Sequence, residues 1–241
     1  IEAAGLKCDL ICSNGSCAFD KDGNLLFEHE IDKETIHKIF DAFNKYSMEP
    51  SLYTTEGRIS LLPLEERKIY TRDVFIPAIQ INHPDMKYTL DDFRELVDNV
   101  IFVDGQEALL NSDHRILKIS SNSTDHEALK KLRVELEKIP GLAVVSTVPT
   151  DIEITSIHAQ KGSTLLDYAK RDGLTPDEIV AIGDSENDYS MLSIPGIHSV
   201  AMENACDMIR DICVYQTRAN TRDGIAYIIN CILADRENFT L

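Results

Sequence analysis

Basic residues are scarce in this chain: 24 lysines and arginines face 41 aspartates and glutamates over 241 residues, a formal net charge of −17. Lys and Arg supply the phosphate contacts that dominate nucleic-acid binding, so this imbalance speaks against a nucleic-acid partner. No apolar run reaches the roughly 20 residues needed to cross a bilayer, and no signal-peptide pattern is evident. A G-x-G-x-x-G dinucleotide fingerprint is absent, as are internal repeats, low-complexity tracts and Gly/Ser linkers. Six cysteines are present, but Cys8, Cys12 and Cys17 lack the C-x-x-C spacing of a zinc knuckle, and Cys206, Cys213 and Cys231 are scattered. Cys8 and Cys12, expected on one face of a buried strand with Leu10, read as apolar packing, and all six as reduced thiols of a cytoplasmic protein. The seven histidines are dispersed; His158 is near Lys161 in sequence, yet a lone histidine is more often a packing or capping residue than a catalytic one. With 43% hydrophobic residues the chain can bury a core and divide into two compact units.

What the sequence does contain is one segment of concentrated chemistry, Val180-Ala181-Ile182-Gly183-Asp184-Ser185-Glu186-Asn187-Asp188-Tyr189. Residues 179–182 form a β-branched apolar run of the kind buried on both faces of a parallel sheet. Gly183 ends it, which delivers Asp184 to the carboxyl edge of the sheet, where open α/β folds place their ligands. Asn187 and Asp188 follow at the start of a helix. Oxygen ligands beside a helix N-terminus suit Mg²⁺ and an anionic substrate. The plainer alternative is that Asp184 and Ser185 cap the helix and Asp188 lies on its solvated face. Upstream, Gln160-Lys161-Gly162-Ser163 opens an amphipathic stretch through Leu165, Leu166 and Ala169, closed by Gly173. A lysine in the first turn opposes the helix dipole, so Lys161 is a poor choice for stability and a sensible one if a phosphate sits there.

Periodicity places the remaining elements. A core strand is expected over residues 6–13, a hairpin around Asp22, an amphipathic helix over 32–48, and short strands at 51–55 and 58–62. Pro63, Pro77 and Pro84 break the stretch that follows, leaving loop or a short helix at 70–81, before a helix over 89–99. A strand is expected at 116–120. The capping box Thr124-Asp125-His126-Glu127 then opens a helix through Leu129, Leu132, Leu136 and Ile139, and strands follow at 143–147 and 151–157. From there the pattern is regular alternation, with Thr175-Pro176-Asp177-Glu178 capping a turn and strands at 199–202 and 213–216. The fold class is therefore α/β, a doubly wound parallel sheet interrupted by a mixed middle region; periodicity together with the family resemblance given next sets residues 1–31 and 155–241 as core and 32–154 as an inserted domain.

These residues resemble the haloacid dehalogenase (HAD) superfamily of phosphatases, in particular its Cof-like branch with a large α/β cap of the C2B type. Lys161-Gly162 is similar to the third motif of that family and Gly183-Asp184-Ser185-Glu186-Asn187-Asp188 to its fourth, one helix and one strand apart. Ser13-Asn14-Gly15-Ser16, Val200-Ala201-Met202-Glu203-Asn204-Ala205 and Asp223-Gly224-Ile225-Ala226 resemble further landmarks in the same order, although Glu203 stands where a glycine is usual. The resemblance implies a Rossmann-like core and Mg²⁺-dependent hydrolysis of phosphate monoesters of small metabolites, with sugar phosphates the expected class, through an aspartyl-phosphate. It implies Asp184 as a metal ligand, Asp188 supporting the metal or orienting Lys161, and Lys161, Asn187 and Asn204 on the phosphoryl group. Its nucleophile, in an Asp-x-Asp-Gly-Thr segment, has no counterpart here; two strand-helix units, roughly 40 to 50 residues, are expected ahead of residues 1–6, which read as the tail of a helix. Without that nucleophile the chain is expected to be inert. Asp20-Lys21-Asp22-Gly23 imitates the motif, but turn chemistry precedes it and alternating Leu25, Phe27 and Glu28 follow, so a hairpin is expected. Two alternatives stay open: a phosphomutase, and a non-catalytic module that binds phosphorylated ligands.

Overall fold

A computed structural model describes Gly5 and residues 7–234. The chain divides into two compact units, Ile1–Ala159 and Gln160–Leu241. The helix tail expected at residues 1–6 lies, apart from Gly5, outside the described residues.

The first unit begins with three short antiparallel strands, β1 (Leu10–Cys12), β2 (Cys17–Phe19) and β3 (Leu25–Glu28). The expected core strand is therefore shorter than its apolar run and pairs antiparallel, with Leu10 opposite Phe19 and Cys12 opposite Cys17. The reason is the intervening turn. Ser13 (φ 49°), Asn14 (φ 60°) and Gly15 (φ 103°) are consecutively left-handed, which reverses the chain within three residues. Cys8 is exposed, against the expectation of packing, whereas Cys17 is buried and its thiol is pushed up to about 11 by desolvation, which keeps it protonated and unreactive. Asp20 forms the expected hairpin turn: its Oδ1 accepts the amides of Asp22 and Asn24, its Oδ2 accepts Asn24 Nδ2, and Gly23 supplies φ 84°.

Helix α1 (Lys33–Lys45) starts at Asp32, whose carboxylate accepts the Thr35 amide. Strands β4 (Ser51–Tyr53) and β5 (Arg58–Ser60) follow, then α2 (Leu64–Tyr70) and α3 (Ile76–Asn82). Where Pro77 led to an expectation of loop or a short helix at 70–81, residues 64–82 are helical throughout. A π-turn over Thr71–Phe75, in which the Ile76 amide reaches back to Thr71 O, sets Pro77 within the first turn of α3, where a missing N–H costs nothing. The helix expected over 89–99 is a 3₁₀ turn, Leu90–Phe93, joined to α4 (Arg94–Asp98). After β6 (Val100–Phe102), α5 (Gly105–Leu110) and β7 (Lys118–Asn122) comes α6 (His126–Leu136). Its cap is Asp125, accepting the Ala128 amide, and not the expected Thr124 box. Strands β8 (Leu142–Val145) and β9 (Asp151–Ser156) complete a six-stranded sheet in the order β6-β5-β4-β7-β9-β8, in which only β5 and β6 run parallel. Its register lines Ile101, Ile59, Leu52, Ile119, Ile154 and Val144 across the strands in one row. That row joins the core shared with Ile36, Ile39, Phe40 and Phe43 of α1 and Leu129, Leu132 and Leu136 of α6. Each fully buried Leu, Ile or Phe contributes about 1.5–3 kcal/mol, so this row largely fixes the register.

The second unit alternates helix and strand: α7 (Lys161–Asp172), β10 (Val180–Gly183), α8 (Tyr189–Leu192), β11 (His198–Ala201), α9 (Asp207–Ile212), β12 (Tyr215–Gln216) and α10 (Gly224–Ala234). Strands β10, β11 and β12 form a parallel sheet with Val180 opposite His198, Gly183 opposite Ala201 and Val200 opposite Tyr215. Gly173 closes α7 in the left-handed conformation (φ 71°). Thr175 and Glu178 form the expected capping box around Pro176–Glu178. The molecule is thus a mixed α/β fold with a parallel sheet and two further sheets. Among the described residues no helix is long and apolar enough to cross a membrane.

Candidate functional site

The sequence-selected residues of the second unit meet at the carboxyl ends of β10 and β11, and two glycines make the meeting possible. At Gly183, the last residue of β10, an added Cβ would come within 2.6 Å of the Asp188 carboxylate, so only glycine lets Asp188 fold back over the strand end. At Gly162 an added Cβ would stand 2.1 Å from the backbone oxygen of Ser190, so only glycine lets the start of α7 lie against α8. The Gly162 amide donates to Ser190 Oγ at 3.1 Å, which ties the two segments.

Those two approaches bring Lys161 and Asp188 together. Lys161 Nζ donates to Asp188 Oδ1 at 2.5 Å and to Asn187 Oδ1 at 3.2 Å. The other carboxylate oxygen, Asp188 Oδ2, accepts the amides of Asp184 (2.9 Å) and Ser185 (3.1 Å). Asp188 is nearly buried, with 9% of its side chain exposed, while Lys161 keeps 29%. Both oxygens of Asp188 are therefore occupied by donors of the protein itself. The ammonium that the helix dipole disfavours at the start of α7 is held by this carboxylate.

Asp184 has a different environment. Its Oδ1 accepts Ser185 Oγ at 3.0 Å and its Oδ2 accepts Asn204 Nδ2 at 2.8 Å. One hydrogen bond on each oxygen leaves a lone pair on both, whereas Asp188, with three donors, keeps one only on the oxygen that holds the Lys161 ammonium. Its backbone is fixed as well, since Asp184 O accepts the Cys206 amide at 3.0 Å. Asn187 and Asp188 lie in the 3₁₀ turn Glu186–Asp188 that leads into α8. Capping there is done by Ser185 and Asp188, so the plainer reading of this segment holds in part, alongside the network.

All five residues singled out in the sequence, Lys161, Asp184, Asn187, Asp188 and Asn204, thus belong to one hydrogen-bonded network. Three members were not foreseen. Ser185 was visible only as a cap, and Glu203 and Asn220 act through backbone amides that leave no local signature: Ala219 N donates to Glu203 Oε2 at 3.1 Å and Asn220 N to Asn204 Oδ1 at 2.9 Å.

A parallel sheet that gathers carboxylates, amides and an ammonium at its carboxyl edge sets them where open α/β folds place their ligands. The family model of haloacid dehalogenase-like hydrolases matches residues 1–229, and the chain belongs to that family. The 5-amino-6-(5-phospho-D-ribitylamino)uracil phosphatase YwtE of Bacillus subtilis (strain 168) is 27% identical over 231 residues, which cover 95% of this chain and 80% of that protein. The phosphatase YwpJ of the same organism is 26% identical, over 96% of this chain and 82% of its own length. Among solved structures, a haloacid dehalogenase-like hydrolase from B. subtilis has a TM-score of 0.78 at 24% identity, over 95% of this chain and 81% of that one. A HAD subclass IIB sugar phosphatase shares the fold with a TM-score of 0.70 at 19% identity, over 95% and 77%.

Proposed function

We propose that this protein is a Mg²⁺-dependent phosphatase of small phosphorylated metabolites, with sugar phosphates the leading class. The observation that carries this reading is the network in which Asp188 fixes the Lys161 ammonium while Asp184 keeps free lone pairs beside it. Phosphoryl transfer asks mainly for positioned charge, and this is a positioned cation next to an unsaturated carboxylate. Family membership and relatives named as phosphatases support the reaction type.

The roles divide by environment. Lys161, partly exposed, binds and neutralises a phosphoryl oxygen, and Asn187 shares its ammonium and borders the same oxygen. Asp188 was expected beside Asp184 as a metal ligand; its ion pair with Lys161 and the two amides on its other oxygen support the other role expected of it, holding Lys161 in place. The donor chemistry fits Mg²⁺, a hard cation that takes one or two carboxylates and completes its shell with phosphate and water. Among the described residues no three His, Cys, Asp or Glu gather into a cation site; Asp184, with an open lone pair on each oxygen, is the residue that would hold the ion. Bound there, Mg²⁺ would supply charge neutralisation to the phosphoryl oxygens. Asn204 orients Asp184 through its amide.

The reading places the aspartyl-phosphate nucleophile outside this set of carboxylates, because Asp20 is committed to an exposed hairpin turn and Asp188 to an ion pair. It takes residues 32–154 as the substrate-selecting cap, and the six unpaired cysteines support action in the reducing cytoplasm.

The test is release of phosphate from p-nitrophenyl phosphate by protein expressed from its complete reading frame. Asp184→Asn should abolish the Mg²⁺-dependent rate. Turnover unchanged in that variant would refute the assignment, and isotopic scrambling into a sugar without net phosphate release would replace hydrolysis by phosphoryl transfer to the substrate.

A further inference from the structure

Asn204 has a side chain that could present either its oxygen or its NH₂ to Asp184, and only the second makes a hydrogen bond to a carboxylate. The selection is made from the far side. The Asn220 amide, a donor with no alternative role, donates to Asn204 Oδ1, so the NH₂ must face Asp184. The orientation of Asn204 therefore depends on where the turn after β12 stands.

That turn is held by the neighbour of Asn204. Glu203 Oε2 accepts the Ala219 amide and is ion-paired with Arg222, so residues 203 and 204 grip the consecutive amides 219 and 220. Arg222 also offsets the negative charge that Glu203 would otherwise add one residue from the partner of Asp184. The rest of the turn has little freedom. Thr217 Oγ1 donates to Gly224 O at 2.8 Å, Asp223 is left-handed (φ 54°), and an added Cβ at Gly224 would come 2.1 Å from Arg218 O. A glutamate is thus employed at a position where the family resemblance leads one to expect glycine.

We propose that Glu203 is a positioning residue: clamped to Arg222 and Ala219, it sets the turn whose Asn220 amide fixes Asn204 with its NH₂ toward Asp184. The consequence for catalysis rests on the phosphatase reading; the positioning itself does not. A carboxylate whose one oxygen is pinned by Asn204 presents its remaining lone pairs in a fixed direction, which favours cation binding by reducing what must be ordered on association.

The experiment uses NMR on the 241-residue chain and calorimetric titration with Mg²⁺ alone. In Glu203→Ala, hydrogen exchange at the Ala219 and Asn220 amides should quicken by about tenfold, the worth of one hydrogen bond to a charged acceptor. The two side-chain NH₂ proton shifts of Asn204 should move together, and the Mg²⁺ Kd should rise about three- to tenfold. Glu203→Gln keeps an acceptor for Ala219 and should restore exchange and the Asn204 shifts. Exchange unchanged in Glu203→Ala overturns the proposal, as does faster exchange that leaves the Asn204 shifts where they were. Wild-type protein indifferent to Mg²⁺ would count against the phosphatase reading, while the Asn204 shifts would still decide the positioning role.

Discussion

Replacing Asp188 by Asn removes one negative charge and one acceptor from the middle of the network, and the cost follows from what each oxygen does. The carboxylate accepts three hydrogen bonds, from Lys161 Nζ on one oxygen and from the Asp184 and Ser185 amides on the other. Asparagine has a single oxygen. Turned toward the two amides, it leaves its NH₂ facing the Lys161 ammonium, donor against donor; turned toward Lys161, it leaves two amides without an acceptor. The first arrangement is cheaper, because Lys161 is partly exposed and keeps Asn187. Losing a charge-assisted hydrogen bond costs about 1.5–3 kcal/mol, and weakening the two amide bonds adds about 1 kcal/mol, so about 2–4 kcal/mol is expected. A single unfolding midpoint would mix the two units, so native-state hydrogen exchange at the Asp184 and Ser185 amides is the suitable assay. A double-mutant cycle with Lys161→Met should give a coupling of about 1–2 kcal/mol, the exposure of Lys161 screening the pair. A cost below about 0.5 kcal/mol, the range of ordinary surface substitutions, would refute the view that Asp188 is the organiser of this site.

The site was more legible than the fold around it because its grammar is local. An apolar run, a glycine and an aspartate specify a strand end and what stands on it, and Lys161-Gly162 specifies a helix start with one anomalous charge. What the sequence could not disclose was the division of labour between the two aspartates. They differ in how many donors reach them, three on Asp188 against two on Asp184, and two of the three on Asp188 are backbone amides; behind Asn204 stands a further backbone amide, that of Asn220, sixteen residues away. The same limit hid Glu203, which looked only like a departure from a familiar glycine.

In the first unit the strong periodicities of α1 and α6 were readable, since their apolar residues recur at helical spacing and become the core. Strand β6 was hidden because its apolar residues directly follow the helix that ends at Asp98, and α5 begins at a left-handed glycine that reads as a turn. In sequence Pro77 reads as a breaker because the rule assumes an uninterrupted α-helix; the π-turn over Thr71–Phe75, just before α3, changes the register and removes the conflict. The run at residues 6–13 misled differently. Its apolar content fitted a buried parallel strand, but the left-handed Ser13-Asn14-Gly15 turn decided its partner.

Two further perturbations test the packing arguments. Gly162→Ala should separate α7 from α8, because the clash at 2.1 Å is with backbone; a cost of about 1–3 kcal/mol is expected even though alanine is the better helix former, and unchanged exchange at the Ser190 segment would contradict it. Glu49→Gln should change how stability depends on pH. Desolvation, with the nearby Glu66 adding repulsion, raises the Glu49 carboxyl from 4.5 to about 7, and its Oε1 is buried without a hydrogen-bond partner. Below pH 4.5 this group is protonated folded or unfolded and costs nothing. As pH rises toward 7 the unfolded chain releases the proton and the folded chain keeps it, so stability falls, and above 7 the folded state carries the buried charge. The full shift would amount to about 3 kcal/mol; partial solvation reduces this to about 1–2 kcal/mol. Urea unfolding should therefore show the glutamine variant gaining about that much on the wild type between pH 5 and pH 8, whereas an identical difference at both values would mean that Glu49 reaches water in the folded protein.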